Sequence, residues 1–492
     1  MKPWIKKSML LSISAGLMVP TLAACTKTNG ADTKTERVLR VATSFGYGDD
    51  EYFRQQFTEI FEFANPNIKI EIIPTMDDSY RYGRVDPNKK PVDPMDKLKE
   101  IMQGDNPPDV VMVSYDQLPD LISNNMLTQL DPMITKDKFD TSDMVPAVMD
   151  GLKKTGDGKL YALAPTFNSS ALIYNKRMFD EAGVPYPKDK MTWDEVFDLG
   201  KRLIKGEGEN RKAGFSFSTQ SMGDLFYSMQ MYTAPLQLRM FDEKGEKMTV
   251  DSDQWEKVWK AMLKLKQDKV LPEQQDPSQM KGQMMNGGEN FNPFQYDDFL
   301  SSRVAMSIIN YGQLNQITNA NKSAQNYPSF TPIDWDVVTV PVHPEAPDVG
   351  GYIGMNGIMS INAKAQNVED AWKFIKFINS EDWARLKSSS SYNIVTRKKY
   401  IKPKDGVQFH IEAFTTLTPA PQQDYKIYRD KPNIGQVQDI GRRLFNDVVD
   451  GKMQVRDALK KWQTDGDAML QQIKENPTGP MNNGAIRMMQ AG

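Results

Sequence analysis

Apolar positions along the chain alternate between two rhythms. Val38-Leu39-Arg40-Val41-Ala42 and Ile68-Lys69-Ile70-Glu71-Ile72 read as strands, and the stretch from Tyr52 to Ala64 between them reads as a helix. A glycine-rich turn, Phe45-Gly46-Tyr47-Gly48, follows the first strand. After a polar excursion from Asp77 to Pro94 come a short helix and a third strand, Asp109-Val110-Val111-Met112-Val113. Strands alternating with helical patterns indicate parallel βαβ units. A second series begins near Asp157, with extended apolar segments from Leu160 to Tyr174. Thr192-Trp193-Asp194-Glu195 then opens a helix as a capping box, and Val196, Leu199, Gly200 and Leu203 form its inward stripe. The same spacing recurs in Trp255, Val258, Trp259 and Met262, in Ala371, Phe374, Ile375 and Ile378, and in Val455, Ala458, Leu459 and Trp462. These aromatic stripes read as core rather than as ligand platforms. Gln274 to Tyr296 is polar and reads as a long surface loop, and the stretch from Asn476 looks frayed.

The first residues follow a different rule. Lys2, Lys6 and Lys7 precede an apolar run from Met9 to Leu22, which suits the core of a signal peptide and is too short to span a bilayer as a helix. The run ends in Leu22-Ala23-Ala24-Cys25, which resembles a bacterial lipobox and implies cleavage before Cys25 and acylation of its thiol. Thr26 to Glu36 is polar and lacks apolar residues, so it is expected to be a flexible tether.

Composition narrows the chemistry. The roughly 467 residues beyond Cys25 exceed what one core holds, so two or more lobes are expected. A formal net charge of -3, more negative once the leading lysines are removed, argues against nucleic acid as the main partner. Cys25 is the sole cysteine, and the two histidines, His343 and His410, lie far apart in sequence. A disulfide, a thiolate nucleophile, a zinc site and a histidine-based triad are therefore not expected, and no cofactor is called for. Acid runs such as Asp49-Asp50-Glu51 and Asp77-Asp78 leave a glycosidase reading open, because such enzymes need two carboxyls across a bond.

Several phrases resemble the family 1 extracellular solute-binding proteins of ABC importers, whose maltose-binding members are the best known. The nearest is Ala171-Leu172-Ile173-Tyr174-Asn175-Lys176-Arg177-Met178-Phe179-Asp180-Glu181-Ala182-Gly183-Val184-Pro185, leading into Thr192-Trp193-Asp194-Glu195. Others are Pro107-Pro108-Asp109-Val110-Val111, Phe299 to Met306, Gly350-Gly351-Tyr352 with Ile358 to Ile361, and Ala371 to Ile378. Their order agrees with the family from about Val38 to Leu470. The resemblance implies a two-lobed α/β fold of the periplasmic-binding-protein type (class II), with several segments crossing a hinge. The boundaries expected are 1–24 signal peptide, 25–36 tether, 37–166 and 357–430 lobe 1, 167–356 and 431–475 lobe 2, and 476–492 tail. Crossings are expected near Pro165–Ser170, near Gly351–Gly357 and near Asn433.

The site residues follow from both lines of reasoning. Tyr47 in the glycine-rich turn, and Tyr115 and Asp116 after the third strand, sit where open α/β sheets bind ligands. A plain turn for Tyr47 and a helix cap for Asp116 are the rival roles. Asn168 matches a polar contact of maltose-type members at the first crossing, with a hinge hydrogen bond as its rival. Asp224 matches the start of a helix bordering the family's cleft, or simply caps it. Tyr311 stands one position from a stacking tryptophan of sugar-binding members, and its removal is expected to weaken binding without unfolding the protein. Tyr352 follows two glycines near the second crossing. The expected function is a lipid-anchored, monomeric binding component that delivers a sugar or oligosaccharide to ABC permease subunits at the extracytoplasmic face of a membrane, of the kind common in Gram-positive bacteria. A non-sugar solute, a surface carbohydrate-active enzyme and a sensory lipoprotein are the alternatives.

Overall fold

The structure, a computed structural model, describes residues 36–43, 51–75, 93–220, 224–273, 292–351, 353–389, 392–402, 407–420 and 426–476. Its strands are β1 (Arg37–Thr43), β2 (Ile68–Pro74), β3 (Val110–Val113), β4 (Ala162–Leu163), β5 (Thr166–Asn168), β6 (Ser170–Asn175), β7 (Ala213–Ser216), β8 (Val304–Asn310), β9 (Trp335–Thr339), β10 (Gly354–Asn356), β11 (Ile358–Ile361) and β12 (Ile394–Val395). They form a five-stranded sheet in the order β2-β1-β3-β11-β4, a four-stranded sheet in the order β7-β8-β6-β9, and a small sheet β10-β5-β12.

The first sheet forms where the sequence pattern placed it. β1 pairs in parallel with β2 and β3, while β11 returns antiparallel between β3 and β4. Val110 to Val113 are all buried, as a strand covered on both faces requires. Helix Val368–Ile378 lays Ala371, Phe374, Ile375 and Ile378 into this core. Polar brackets fix the geometry around it. Asp109 accepts from the backbone N–H groups of Arg40, Gln366 and Asn367 at 3.1, 2.9 and 2.7 Å, tying β1, β3 and the start of that helix together. Helix 51–64 contains a π-helical stretch, Arg54–Thr58, that sets Phe57 parallel to Trp383 with ring centroids 6.3 Å apart.

The second sheet is backed by helices Trp193–Arg202, Leu225–Thr233, Asp253–Gln267, Gln436–Val449 and Val455–Glu475, whose inward residues form one apolar cluster. The capping box is present: Thr192 N–H donates to Glu195 Oε2 at 2.7 Å, and Glu195 N–H donates back to Thr192 Oγ1 at 3.3 Å. Gly441 explains how the last two helices approach. A Cβ there would lie 2.4 Å from Cε2 of Trp462, so only glycine admits the indole, whose N–H donates to the Val437 carbonyl at 2.7 Å.

The two lobes meet at the small sheet. The chain leaves the first sheet at Leu163, runs through β5 and enters the second at Ser170; it returns through β10 into β11. β5 and β10 pair antiparallel, Asn168 opposite Gly354 and Thr166 opposite Asn356. The remaining passage differs from the expectation near Asn433. Phe414 packs with the first core, whereas Leu417 already belongs to the second, and Ile427 and Tyr428 pack against it as well. Backbone bonds Thr418 N–H to Asp348 O and Gly350 N–H to Thr418 O hold this return beside the second crossing. Leu417 can sit there because Gly350 has no side chain: a Cβ would be 2.9 Å from Leu417 Cβ.

Candidate functional site

The strand ends that face the hinge define the site. β1 and β3 run in parallel, so Thr43 and Met112 lie toward their carboxyl ends, where open α/β sheets leave room for a ligand. There a hollow of 180 Å³ is lined by Thr43, Tyr52, Gln56, Thr166, Asn356 and Asn393, with Phe53, Phe57, Ile72, Met112 and Gly357 beneath and between them. Among the described residues its polar groups are amides, hydroxyls and one phenol, with no charged side chain. The π-helical stretch presents Gln56 to it. Lys387, buried and with its pKa lowered by desolvation, donates to Gln56 Oε1 at 3.5 Å and to the Gln55 carbonyl at 3.2 Å. Gly357 forms the floor with φ +67°, and a Cβ there would meet the Phe57 ring at 2.8 Å.

A larger hollow of 490 Å³ opens on the second lobe. Ser170 and Gly351 line it. Those residues sit beyond the other ends of the hinge strands, since β5 runs from Thr166 in the small hollow to Asn168, and β10 from Gly354 to Asn356. The hinge pair therefore runs between the two hollows.

The residues singled out from sequence are distributed around this frame. Tyr47, Tyr352 and Cys25 lie outside the described residues. Tyr115 opens a 3-10 turn after β3; its hydroxyl donates to the Gly151 carbonyl at 2.8 Å, and burial raises its pKa. Asp116 is half-buried on that turn, but it is not the cap: Ser114 holds that position, its N–H donating to Gln117 Oε1 at 2.9 Å. Asn168 is half-buried at the end of β5. Asp224 caps helix Leu225–Thr233, its Oδ1 accepting from Phe226 N–H at 2.9 Å and its Oδ2 pairing with Arg442 at 3.3 Å. Both oxygens thus have protein partners, in line with the capping role. Tyr311 follows β8 but is only 5% exposed, with its ring edge-on to Phe414 at 5.5 Å and burial pushing its pKa up to about 12. A stacking plate needs an open face, and this ring has none in the conformation seen. Its removal is therefore expected to cost stability, correcting the expectation that it would leave the fold intact.

The sequence pattern of the bacterial extracellular solute-binding protein family matches residues 43–385. The chain belongs to that family. It is similar to a binding protein of Brucella abortus (strain 2308), 23% identical over 381 residues that cover 75% of this chain and 81% of that protein. Among solved structures, a sugar transporter of Rhizobium etli in an open conformation aligns with a TM-score of 0.58 at 17% identity, covering 88% of this chain and 99% of the other. A substrate-binding protein of Listeria monocytogenes in complex with cycloalternan aligns at 0.52 and 20% identity, covering 88% and 99%. These likenesses give the two-lobed fold of solute-binding proteins.

Among the described residues, the aromatic groups most open at the hinge are ones sequence reasoning passed over. Tyr52 is 67% exposed and lines the small hollow. Tyr392 is 72% exposed, precedes Asn393 of the same hollow, and has its backbone 3.3 Å from where a Gly312 Cβ would stand, beside the end of β8. A signal for Tyr392 was present: it ends the polar run Ser388-Ser389-Ser390-Ser391 and belongs to no apolar stripe of helical spacing. Gln56 and Asn356 carried none.

Proposed function

We propose that this protein is the lipid-anchored substrate-binding component of an ABC importer, capturing a neutral sugar or oligosaccharide at the hinge and delivering it to a membrane permease. The observation that carries the reading is the small hollow, where the amides of Gln56, Asn356 and Asn393 and the hydroxyls of Thr43 and Thr166 converge at the strand ends of the first lobe, beside the small sheet that joins it to the second. Amides and hydroxyls both donate and accept, as sugar hydroxyls do, and among the described residues no charged side chain lines the hollow to compensate an anionic solute for its lost hydration. Tyr52 and Tyr392 supply exposed aromatic faces for the apolar side of a sugar ring, and Asp116 and Asn168 stand as further polar candidates. The Rhizobium neighbour's description as a sugar transporter and the cycloalternan bound to the Listeria neighbour support the same class.

Capture would proceed by closure about the β5–β10 pair. A ligand touching both lobes favours the closed form by its differential affinity for the two states. The reading involves no reaction. Asp297, the carboxyl that burial pushes up, accepts from Leu300 N–H at 2.8 Å, and among the described residues no carboxylate lines either hollow. Delivery to a permease and anchoring through Cys25 rest on the family and on the Leu22-Ala23-Ala24-Cys25 sequence. Among the described residues no helix is long and apolar enough to cross a membrane.

A thermal-denaturation screen over neutral mono- and oligosaccharides, with sugar phosphates and amino acids alongside, tests the solute class. A rise in midpoint with a neutral sugar, and no products by chromatography, is the expected result. A rise only with charged solutes would refute it. Cys25→Ser is expected to release the protein from membranes, and retention of that variant would refute the anchor.

A further inference from the structure

Behind the wall of the small hollow stands a buried cation that has no anion beside it. Lys387, the last residue of helix Glu381–Lys387, is 8% exposed and does not itself line the hollow. Among the described residues no carboxylate forms an ion pair with it, and Glu59 acts on it only from a distance. Its ammonium instead meets the Gln55 carbonyl at 3.2 Å, Gln56 Oε1 at 3.5 Å and the face of Trp383, 5.8 Å from the ring centroid. A buried charge without a counter-charge is costly, and a neutral donor would serve the Gln55 carbonyl as well. What the ammonium adds is its contact with Gln56.

That contact sets the direction of an amide. An ammonium only donates, so of the two ends of the Gln56 amide only the oxygen can face it. Gln56 is half-buried and lines the hollow, and its Nε2, without a partner among the described residues, stays accessible there. A free glutamine amide can turn either end to a solute. One whose oxygen is held by a cation turns its N–H groups outward, and the charge polarises them into stronger donors.

We propose that Lys387 is a positioning residue of the solute site: by donating to Gln56 Oε1 it fixes the amide with Nε2–H toward the small hollow, so that the site selects a solute oxygen able to accept at that point. Lys387 never touches the solute and acts through Gln56 alone. This inference rests on the sugar reading for the hinge and adds to it the direction of one hydrogen bond and the residue that sets it.

The contact itself is tested on the full chain without any solute. Gln56→Glu gives the buried ammonium a carboxylate, so the melting midpoint at pH 7 should rise about 1–3 °C above wild type. The same substitution made on Lys387→Met should lower the midpoint or leave it unchanged. Absence of a rise that depends on Lys387 would overturn the contact. Isothermal titration calorimetry with galactose, maltotriose, lactose, cellobiose and xylobiose tests the role. For any of these that binds, Lys387→Met, of similar length and uncharged, should weaken binding about three- to tenfold when Gln56 is present and less than about twofold in Gln56→Ala. A lysine that merely supported Trp383 and Phe57 would cost the same affinity in both backgrounds, and that result would overturn the positioning role. Undiminished affinity in Lys387→Met would overturn it too, while leaving the sugar reading intact. Silence from every sugar would overturn the sugar reading, and the midpoints would still decide the contact.

Discussion

Gly357 joins β10 to β11 at the floor of the small hollow, and replacing it with alanine probes the hinge with a single methyl group. Its φ of +67° lies in the left-handed region. A non-glycine residue there costs about 1–2 kcal/mol. The new Cβ would also stand 2.8 and 2.9 Å from Cε1 and Cζ of Phe57 and 3.2 Å from Cγ of Pro165. Phe57 cannot simply yield, because its ring lies parallel to Trp383. Overpacking of this kind costs about 1–3 kcal/mol, while the stiffer unfolded chain returns about 0.4–1 kcal/mol. The net loss is about 1–5 kcal/mol. The internal control is Gly351→Ala at the start of the same crossing, where among the described residues an added Cβ meets nothing within 4 Å. Urea denaturation of the two variants beside the wild type, followed by tryptophan fluorescence, should show a clearly lower midpoint for Gly357→Ala and a midpoint equal to or slightly above wild type for Gly351→Ala. Equal midpoints for all three proteins would refute the claim that Gly357 is a sterically enforced hinge glycine.

Other expectations follow from the same geometry. Tyr311→Ala should lower stability by about 3–5 kcal/mol, as removal of buried aromatics does, measurable by denaturation without any ligand. Asp224→Ala should cost about 1–2 kcal/mol through loss of the helix cap, Asp224→Asn much less, and neither should change solute affinity at a temperature where both are folded. Tyr52→Ala and Tyr392→Ala remove exposed rings, so their unfolding midpoints should hold while solute affinity falls about fivefold or more in a titration. His343 gives the pH dependence: buried, with Nε2 2.6 Å from the Tyr232 carbonyl, it is held below its usual pKa by desolvation. The unfolded chain therefore binds the proton more readily, so this contribution is fully present above about pH 6.5 and drains as pH falls toward the lower folded value. Unfolding midpoints of wild type and His343→Phe should converge between pH 7.5 and pH 5, and parallel curves would contradict that assignment.

Much of the fold was legible because apolar periodicity reports burial directly. The Val196, Leu199, Gly200 and Leu203 stripe lies in the second core, and the Thr192–Glu195 capping box forms with both bonds. The first two crossings were legible for a related reason: Pro165 and the glycines at 350, 351 and 357 punctuate otherwise apolar segments. The last return was not. Leu417 looks the same in sequence whichever core it enters, and its place was decided by the space left at Gly350. The site was read less well than the fold. Tyrosines serve equally as stacking plates and as core, and nothing local distinguishes buried Tyr311 from exposed Tyr52. Gln56 reaches the hollow through a π-helical stretch, a departure from 3.6 residues per turn that side-chain periodicity does not forecast. Asp224 stood open between cleft contact and cap, and the cap that forms has a local cause, an acid one residue before a helical run.

The central claim is that a neutral sugar is held at the hinge by amide groups, and Gln56→Ala tests it most directly. Calorimetric titration of the sugar that most raises the wild-type melting midpoint should give one saturable site per chain. In Gln56→Ala the affinity should fall about tenfold, the cost of a lost buried hydrogen bond, with a melting midpoint for the unliganded protein lowered only modestly, since buried Lys387 keeps the Gln55 carbonyl. Undiminished affinity in that variant would place the solute elsewhere and contradict the account.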